Sequence, residues 1–295
     1  MKSVIYYFTG TGNNLQVAKK IAEALPDCKL VSMGKGEHDS NEVYDYIGFV
    51  YPTYALNLPR RVTQFIKEMS LEKSKNAYFF AVTGCGNISG VALTVPAKIL
   101  AKKGVTLNFA EKIIMVENYV AMYKMNERNP EKYQIATDNI PALVQKIVAK
   151  TQQPVGKVNE PLNISTAIGQ KLIYARKDKG FNVSDACTGC RTCEAVCPVS
   201  NIVMKNKKPS FKHNCEQCMA CVQWCPKQAI NYKNKTQSRG RYTNPSISLK
   251  ELIDAINRKV RIKTEIYFEK LRLKYDLIFA YKNLIRNILI LIFDI

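Results

Sequence analysis

Eight of the ten cysteines fall in two short runs that share one spacing. The runs are CTGCRTCEAVCP, from residue 187, and CEQCMACVQWCP, from residue 215. In each run two-residue spacers separate three cysteines, and a fourth follows after a three-residue spacer, directly before proline. Four converging thiolates can bind an iron–sulfur cube, whereas structural zinc sites favour two separated pairs, often with histidine. The spacing therefore predicts two iron–sulfur clusters rather than zinc.

This cysteine module, residues 184–234, resembles the bacterial 2×4Fe–4S ferredoxins. In that family the fourth cysteine of each run binds the cluster of the other run. The resemblance gives two ligand sets: Cys187, Cys190, Cys193 and Cys225 for cluster one, and Cys215, Cys218, Cys221 and Cys197 for cluster two. It also implies one-electron transfer at low potential.

The loop TGTGNN, residues 9–14, follows an apolar run and opens a helical pattern. A helix N-terminus presents unpaired N–H groups and the positive end of a dipole, so it suits a phosphate. The loop lacks the third glycine of the dinucleotide fingerprint and the Gly-Lys-Ser/Thr of a triphosphate loop. The residues expected to cradle a phosphate are Thr9, Gly10, Thr11, Gly12, Asn13 and Asn14.

This phosphate loop resembles that of the flavodoxins, although Asn14 stands where the family usually has Thr or Ser. The resemblance implies FMN, bound beyond the carboxyl ends of the strands. Two further loops are expected there, residues 51–59 and 83–90. Tyr51 and Tyr54 could stack on the flavin or could be ordinary loop aromatics, and Cys85 could be a redox thiol or a small packing residue. The predicted flavin contacts in these loops are Tyr51, Pro52, Thr53, Tyr54, Thr83, Gly84, Cys85 and Gly86.

Alternating strand and helix patterns over the first 150 residues indicate the scaffold that positions these loops. The predicted strands are 2–9, 28–32, 46–50, 77–82 and 113–116, and the predicted helices are 15–25, 60–69, 91–103 and 140–150. Such alternation favours a parallel sheet with helices on both faces. The predicted fold class is α/β, a flavodoxin-like doubly wound five-stranded parallel sheet, followed by a small α+β two-cluster ferredoxin domain and a basic helical tail.

Four segments are predicted along the chain. Residues 1–150 form the flavodoxin-like FMN-binding domain, residues 151–183 a linker with a helix at 164–175, residues 184–234 the ferredoxin domain, and residues 235–295 the tail. The tail has an amphipathic helical pattern, with apolar positions such as Leu252 and Ile256 between basic residues. It could lie on an anionic membrane or dock on its own domain or a partner.

A formal net charge of +20 indicates an anionic partner. The basic residues lack the interleaved aromatics or reading motif expected for nucleic acid, so an acidic redox protein is the favoured partner. The N-terminus shows no secretory pattern and no apolar run has membrane-spanning length, so the cytoplasm is expected. Peripheral membrane contact through the tail stays open, and the sequence indicates no oligomeric state.

The order of flavodoxin-like domain, linker and two-cluster ferredoxin is similar to a family of fusion proteins found mostly in anaerobic microbes. The resemblance covers residues 1 to about 257. It implies an electron carrier that couples FMN to two 4Fe–4S clusters. Two alternatives stay open: a flavin-dependent reductase of a quinone or nitro compound, which would make the protein an enzyme, and a membrane-associated redox-sensing binding protein.

Overall fold

A computed structural model describes residues 1–38, 41–125, 127–153, 155–157, 159–174 and 177–257. Met1–Ile256 form one compact unit. The N-terminal sheet and the cysteine module therefore pack together rather than as separate bodies. The predicted tail beyond residue 257 lies outside the described residues.

The N-terminal region is built on one parallel sheet. Its strands are β1 (Ser3–Tyr7), β2 (Cys28–Ser32), β3 (Tyr46–Pro52), β4 (Tyr78–Cys85) and β5 (Leu107–Ile114). Their order is β2-β1-β3-β4-β5, with every pairing parallel. This is the flavodoxin-like doubly wound order, and it confirms the predicted fold class.

Helices cover both faces of the sheet. They are α1 (Asn13–Ala24), α2 (Arg60–Glu68), α3 (Thr94–Ala101), α4 (Asn129–Val148) and α5 (Glu160–Tyr174). Apolar residues of α2 and α3 pack on one face, and those of α1 and α4 pack on the other. The three central strands, β1, β3 and β4, are buried on both faces, which explains their nearly continuous apolar runs.

Two elements differ from the sequence-based expectation. Strand β5 is Leu107–Ile114 rather than 113–116. Its partly exposed positions carry Asn108, Glu111 and Lys112, which break the apolar run as expected for an edge strand. Helix α4 begins at Asn129, well before the predicted start at residue 140. The prediction missed its first turns because they are largely solvent-exposed and polar, and so lack an apolar helical pattern.

The cysteine module consists of two short two-stranded antiparallel sheets and two single-turn helices. Its elements are β6 (Phe181–Val183), α6 (Thr192–Ala195), β7 (Ile202–Lys205), β8 (Lys208–Phe211), α7 (Ala220–Gln223) and β9 (Ile230–Tyr232). Strand β6 pairs antiparallel with β9, and β7 pairs antiparallel with β8. Their shared core also contains Val120 and Ala121 from the N-terminal region. The module is therefore continuous with the sheet domain through apolar packing.

Residues 249–257 are helical and contain the first part of the predicted amphipathic stripe. Leu252 and Ile256 are fully buried in the same core as α1, and Lys19 of α1 forms an ion pair with Glu251. This part of the stripe docks on the protein itself. Across the described residues, no helix combines the length and the apolarity that a bilayer crossing requires.

Candidate functional site

The first cysteine cavity is lined by four cysteines from both runs. They are Cys187, Cys190, Cys193 and Cys225. Cys190 is exposed, and the exposed cations Arg191 and Lys227 also line the cavity. The first cavity therefore opens to a solvated surface with two exposed cations, of which Arg191 pairs with Glu194 at 2.7 Å.

The second cysteine cavity is lined by the other four cysteines. They are Cys197, Cys215, Cys218 and Cys221. Apolar side chains such as Phe181, Phe211 and Met219 form much of the remaining wall. The two cavities thus offer different surroundings, and the exposure of a cluster is one factor that sets its reduction potential.

The fourth cysteine of each run crosses to the opposite cavity. Backbone N–H groups stabilise both crossing sulfurs: the N–H of Asn201 donates to Cys197 Sγ at 3.1 Å, and that of Ala229 donates to Cys225 Sγ at 3.3 Å. Hydrogen bonds of this kind tune the ligands of a metal site. The structure brings together the same two groups of four that the ferredoxin resemblance gives.

The chemistry of these donors suits iron–sulfur cubes. Among the described residues, no three His, Cys, Asp or Glu side chains are arranged to hold a single metal ion. A cube keeps its four thiolates farther apart than one ion does, so four cysteines around an open cavity fit the larger group. Burial raises the pKa of Cys193 to about 12. Ligation must therefore displace a proton from this thiol.

The phosphate loop lies between the end of β1 and the start of α1, as predicted. The exposed fractions of its polar side chains are small: Thr9 2%, Thr11 4%, Asn13 5% and Asn14 4%. Gly12 has a φ of 102°, a left-handed conformation that favours glycine. The loop thus has the expected position and backbone, but its side chains are almost completely covered.

Protein groups already bind the hydroxyls of this loop. The N–H of Gly12 donates to Thr9 Oγ1 at 3.1 Å, and Asn118 Nδ2 donates to Thr11 Oγ1 at 2.8 Å. The side-chain oxygen of Asn14, Oδ1, likewise accepts from the backbone N–H of Gly84 in β4 at 3.2 Å. The side-chain oxygens of Thr9, Thr11 and Asn14 therefore already accept hydrogen bonds from within the chain.

A closing segment, Tyr242–Ile247, covers one side of the loop. The Tyr242 hydroxyl donates to Asn13 Oδ1 at 2.8 Å, and Asn244 Nδ2 donates to the same oxygen at 3.0 Å. The backbone N–H of Asn244 donates to the Thr11 carbonyl at 2.8 Å. This segment holds the loop through three hydrogen bonds.

The cysteine module covers the other side of the loop. Trp224 Nε1 donates to the Gly10 carbonyl at 3.1 Å. A Cβ added to Gly10 would lie 2.8 Å from the carbonyl oxygen of Cys218. A predicted cluster ligand therefore lies in direct backbone contact with the phosphate loop.

The two remaining loops lie at the same end of the sheet. Tyr51 is fully buried, and its hydroxyl donates to the Ala92 carbonyl at 2.8 Å. Tyr51 is thus a core residue of β3 and is not placed to stack on a flavin. Tyr54 is half-buried, and its backbone carbonyl accepts from Gln170 Nε2 at 2.8 Å. Of the two tyrosines, only Tyr54 keeps part of its surface available.

The smaller residues of these loops are mostly enclosed. Thr53 and Thr83 share a hydrogen bond at 2.9 Å between their hydroxyls, Pro52 ends β3, and Gly84 is buried against Asn14. Cys85 is 7% exposed, and burial raises the pKa of its thiol. That environment favours packing over thiol redox chemistry. In this loop only Gly86 is exposed among the predicted flavin contacts.

Comparison with protein families matches two separate segments of the chain. A flavodoxin domain model matches residues 4–92, and a 4Fe–4S dicluster domain model matches residues 186–239. The chain is a flavodoxin–ferredoxin fusion. The two domains support an electron-transfer protein with FMN and iron–sulfur cofactors.

Solved structures similar to the fusion cover its flavodoxin half. The Fusobacterium nucleatum flavodoxin bound to flavin mononucleotide is 15% identical, with a TM-score of 0.34, over 52% of this chain and 100% of that one. The Streptococcus pneumonia TIGR4 flavodoxin is 12% identical, with a TM-score of 0.33, over 48% and 99%. The rubredoxin oxygen:oxidoreductase of Desulfovibrio gigas is 18% identical, with a TM-score of 0.33, over 50% of this chain but only 36% of its own. A search of curated proteins found no match.

The two cofactor sites differ in how well they fit their groups. Each cysteine cavity of the dicluster domain presents four cysteine sulfurs around open space. The phosphate loop of the flavodoxin domain presents buried side chains and a neighbouring backbone instead. In this conformation the loop is covered by the cysteine module on one side and by the closing segment on the other.

The residues that join the two domains were not predicted from the sequence. Glu216 is 3% exposed, and its carboxylate accepts from the backbone N–H groups of Arg60 at 3.0 Å and Arg61 at 3.2 Å, capping α2. Asp178, 1% exposed, accepts from His213 and Asn201 beside the second cavity. The sequence offers one weak indication of this joint, which is the charged Glu216 within the ligand spacer CEQC. A charged residue there would by default be expected to face solvent.

Proposed function

We propose that this fusion is a one-electron carrier with two 4Fe–4S clusters that work at low potential. The observation that carries the proposal is the division of eight cysteines into two groups of four, each around its own cavity. The clusters would supply the electron transfer, and the protein positions and shields them. Coupling to FMN, expected from the flavodoxin domain, requires access to a phosphate loop that is closed in this structure.

The first cavity is the better placed of the two to exchange electrons with a partner. Cys190 and the rim residues Arg191 and Lys227 are exposed, whereas the second cavity faces the flavodoxin domain. A basic rim speeds encounter with an acidic protein more than it tightens binding. The proposed partner is therefore an acidic redox protein that docks over the first cavity.

Metal analysis of anaerobically purified protein tests the carrier proposal. We expect about eight irons and about eight sulfides per chain, and an electron paramagnetic resonance signal from reduced clusters. Zinc that persists after anaerobic reconstitution with iron and sulfide would overturn the proposal. Flavin is measured separately because its content does not bear on the clusters.

Stopped-flow oxidation of the reduced protein tests the docking face. Lys227→Glu should slow electron transfer to the anion ferricyanide and speed transfer to the cation hexaammineruthenium(III), by up to about tenfold at low salt. The control is Lys132→Glu on α4, outside the rim. Equal effects of the two substitutions would exclude electron exchange at the first cavity.

A further inference from the structure

The phosphate loop is a binding surface for the protein's own C-terminal half. We infer that FMN competes with this half for the loop. The docked dicluster domain and closing segment exclude FMN, and flavin binds only after they move away. The fusion thus exists in a closed, flavin-free form and an open form that accepts flavin.

Little space remains around the phosphate loop. The polar side chains of the loop are at most 5% exposed, because other parts of the chain cover them. A single Cβ at Gly10 would already lie 2.8 Å from the Cys218 carbonyl, and one at Gly12 would lie 2.9 Å from Asn244 Cβ. A phosphate is much larger than a methyl group. It can enter only if one of these neighbours leaves.

The side-chain amide of Asn13 is oriented for the closing segment. Asn13 Nδ2 donates to the Val116 carbonyl at 3.3 Å, and a carbonyl can only accept, so the amide orientation is fixed. The amide oxygen of Asn13 therefore faces the closing segment, where it accepts from Tyr242 and Asn244. A phosphate needs donors at this place, but the side chain presents an acceptor. The network is arranged for the closing segment instead.

The docked contacts are also continuous around the loop. Asn244 Nδ2 donates to Gln16 Oε1 at 2.7 Å, and Gln223 joins the two covering elements by accepting from the N–H of Tyr242 at 2.8 Å. The dicluster domain and the closing segment therefore cover the loop as one connected surface. Opening one side weakens the attachment of the other.

This arrangement makes a quantitative prediction for flavin affinity. A ligand that binds only the open form has its affinity reduced by the open fraction. Removing a docking contact raises that fraction and tightens FMN binding by the same factor. One or two lost hydrogen bonds should tighten binding about tenfold, which corresponds to about 1.4 kcal/mol.

The experiment is an FMN titration of full-length, cluster-loaded protein under anaerobic conditions, followed by flavin fluorescence and by equilibrium dialysis. The test variants are Asn244→Ala and Trp224→Phe, the second of which keeps the aromatic packing but loses the N–H to Gly10. The control is Asn139→Ala, which removes an exposed amide on α4. Iron and sulfide are measured in the same samples, so loss of clusters is recognised independently.

We expect weak FMN binding in the wild type and the control, and binding about tenfold tighter in both test variants. One tightly bound FMN per wild-type chain, with unchanged affinity in the variants, would overturn the inference. Failure of both test variants to bind FMN more tightly than the wild type would overturn it as well. Neither result would affect the proposal that the cysteines hold two clusters.

Discussion

Replacing Glu216 should break the joint between the two domains. Its carboxylate accepts from two backbone N–H groups at the start of α2, at 3.0 and 3.2 Å, and lies 3.6 Å from Arg60 Nε. Burial raises the pKa of this carboxyl, while Arg60 and the two N–H groups act in the opposite direction. Glu216→Ala removes this carboxylate, so the backbone N–H groups of Arg60 and Arg61 lose their acceptor between the two domains.

The cost can be worked out from these contacts. Donors left unpaired by loss of an acceptor cost about 1–3 kcal/mol each when buried, and loss of a helix N-cap costs about 1 kcal/mol. Because Arg60 and Arg61 keep partial solvent access, we expect the low end, about 2–3 kcal/mol in total for Glu216→Ala. Glu216→Gln keeps one acceptor oxygen and should cost about 1 kcal/mol.

Urea unfolding of cluster-loaded protein under anaerobic conditions measures the effect. Far-ultraviolet circular dichroism follows the helices, and visible absorbance follows the clusters. The control is Glu68→Ala on the same helix. Glu68 is 58% exposed and pairs with Arg61 at the surface, so its loss should change the free energy of unfolding by less than about 0.5 kcal/mol. A Glu216→Ala variant as stable as this control would refute the capping argument.

Three further substitutions test the rest of the structure. Cys190→Ser should remove about four of about eight irons, whereas Cys85→Ser should leave the iron content unchanged; equal iron in the two variants would contradict the ligand sets. Gly48→Ala would place a Cβ 2.1 Å from the Phe80 ring between β3 and β4 and should destabilise the sheet by about 2–3 kcal/mol, so an unchanged urea midpoint would speak against this packing. Asp178→Asn replaces one of the two carboxylate oxygens that together accept from three donors, and it should lower the free energy of unfolding by about 2 kcal/mol in the same assay. An unchanged free energy of unfolding would mean that these hydrogen bonds do not stabilise the module.

Local patterns in the sequence were sufficient to predict much of the scaffold. Strands such as β1 and β4 are short, apolar and buried on both faces, so their position follows from composition alone. The grouping of cysteines follows from spacing and from the family resemblance. Edge strand β5 was misplaced because its exposed polar residues interrupt the pattern.

The closure of the phosphate loop could not be predicted in the same way. Asn13 and Asn244 are 231 residues apart, and neither residue carries a signal for the other. The motif TGTGNN is the same sequence whether the loop binds a phosphate or is covered by side-chain amides of the same chain. The difference lies in tertiary contacts, which a single sequence does not reveal.

The cap on α2 has a consequence for biogenesis. Glu216 is 156 residues beyond Arg60, and a ribosome adds about 5–20 residues per second, so α2 is synthesised roughly eight to thirty seconds before its capping carboxylate. Glu216 also lies beside Cys215, in a spacer whose conformation depends on the second cavity. Helix α2 therefore gains the cap on its first turn only when the cysteine loops are in place. Iron–sulfur delivery in the cell then becomes a late checkpoint for maturation of the whole polypeptide.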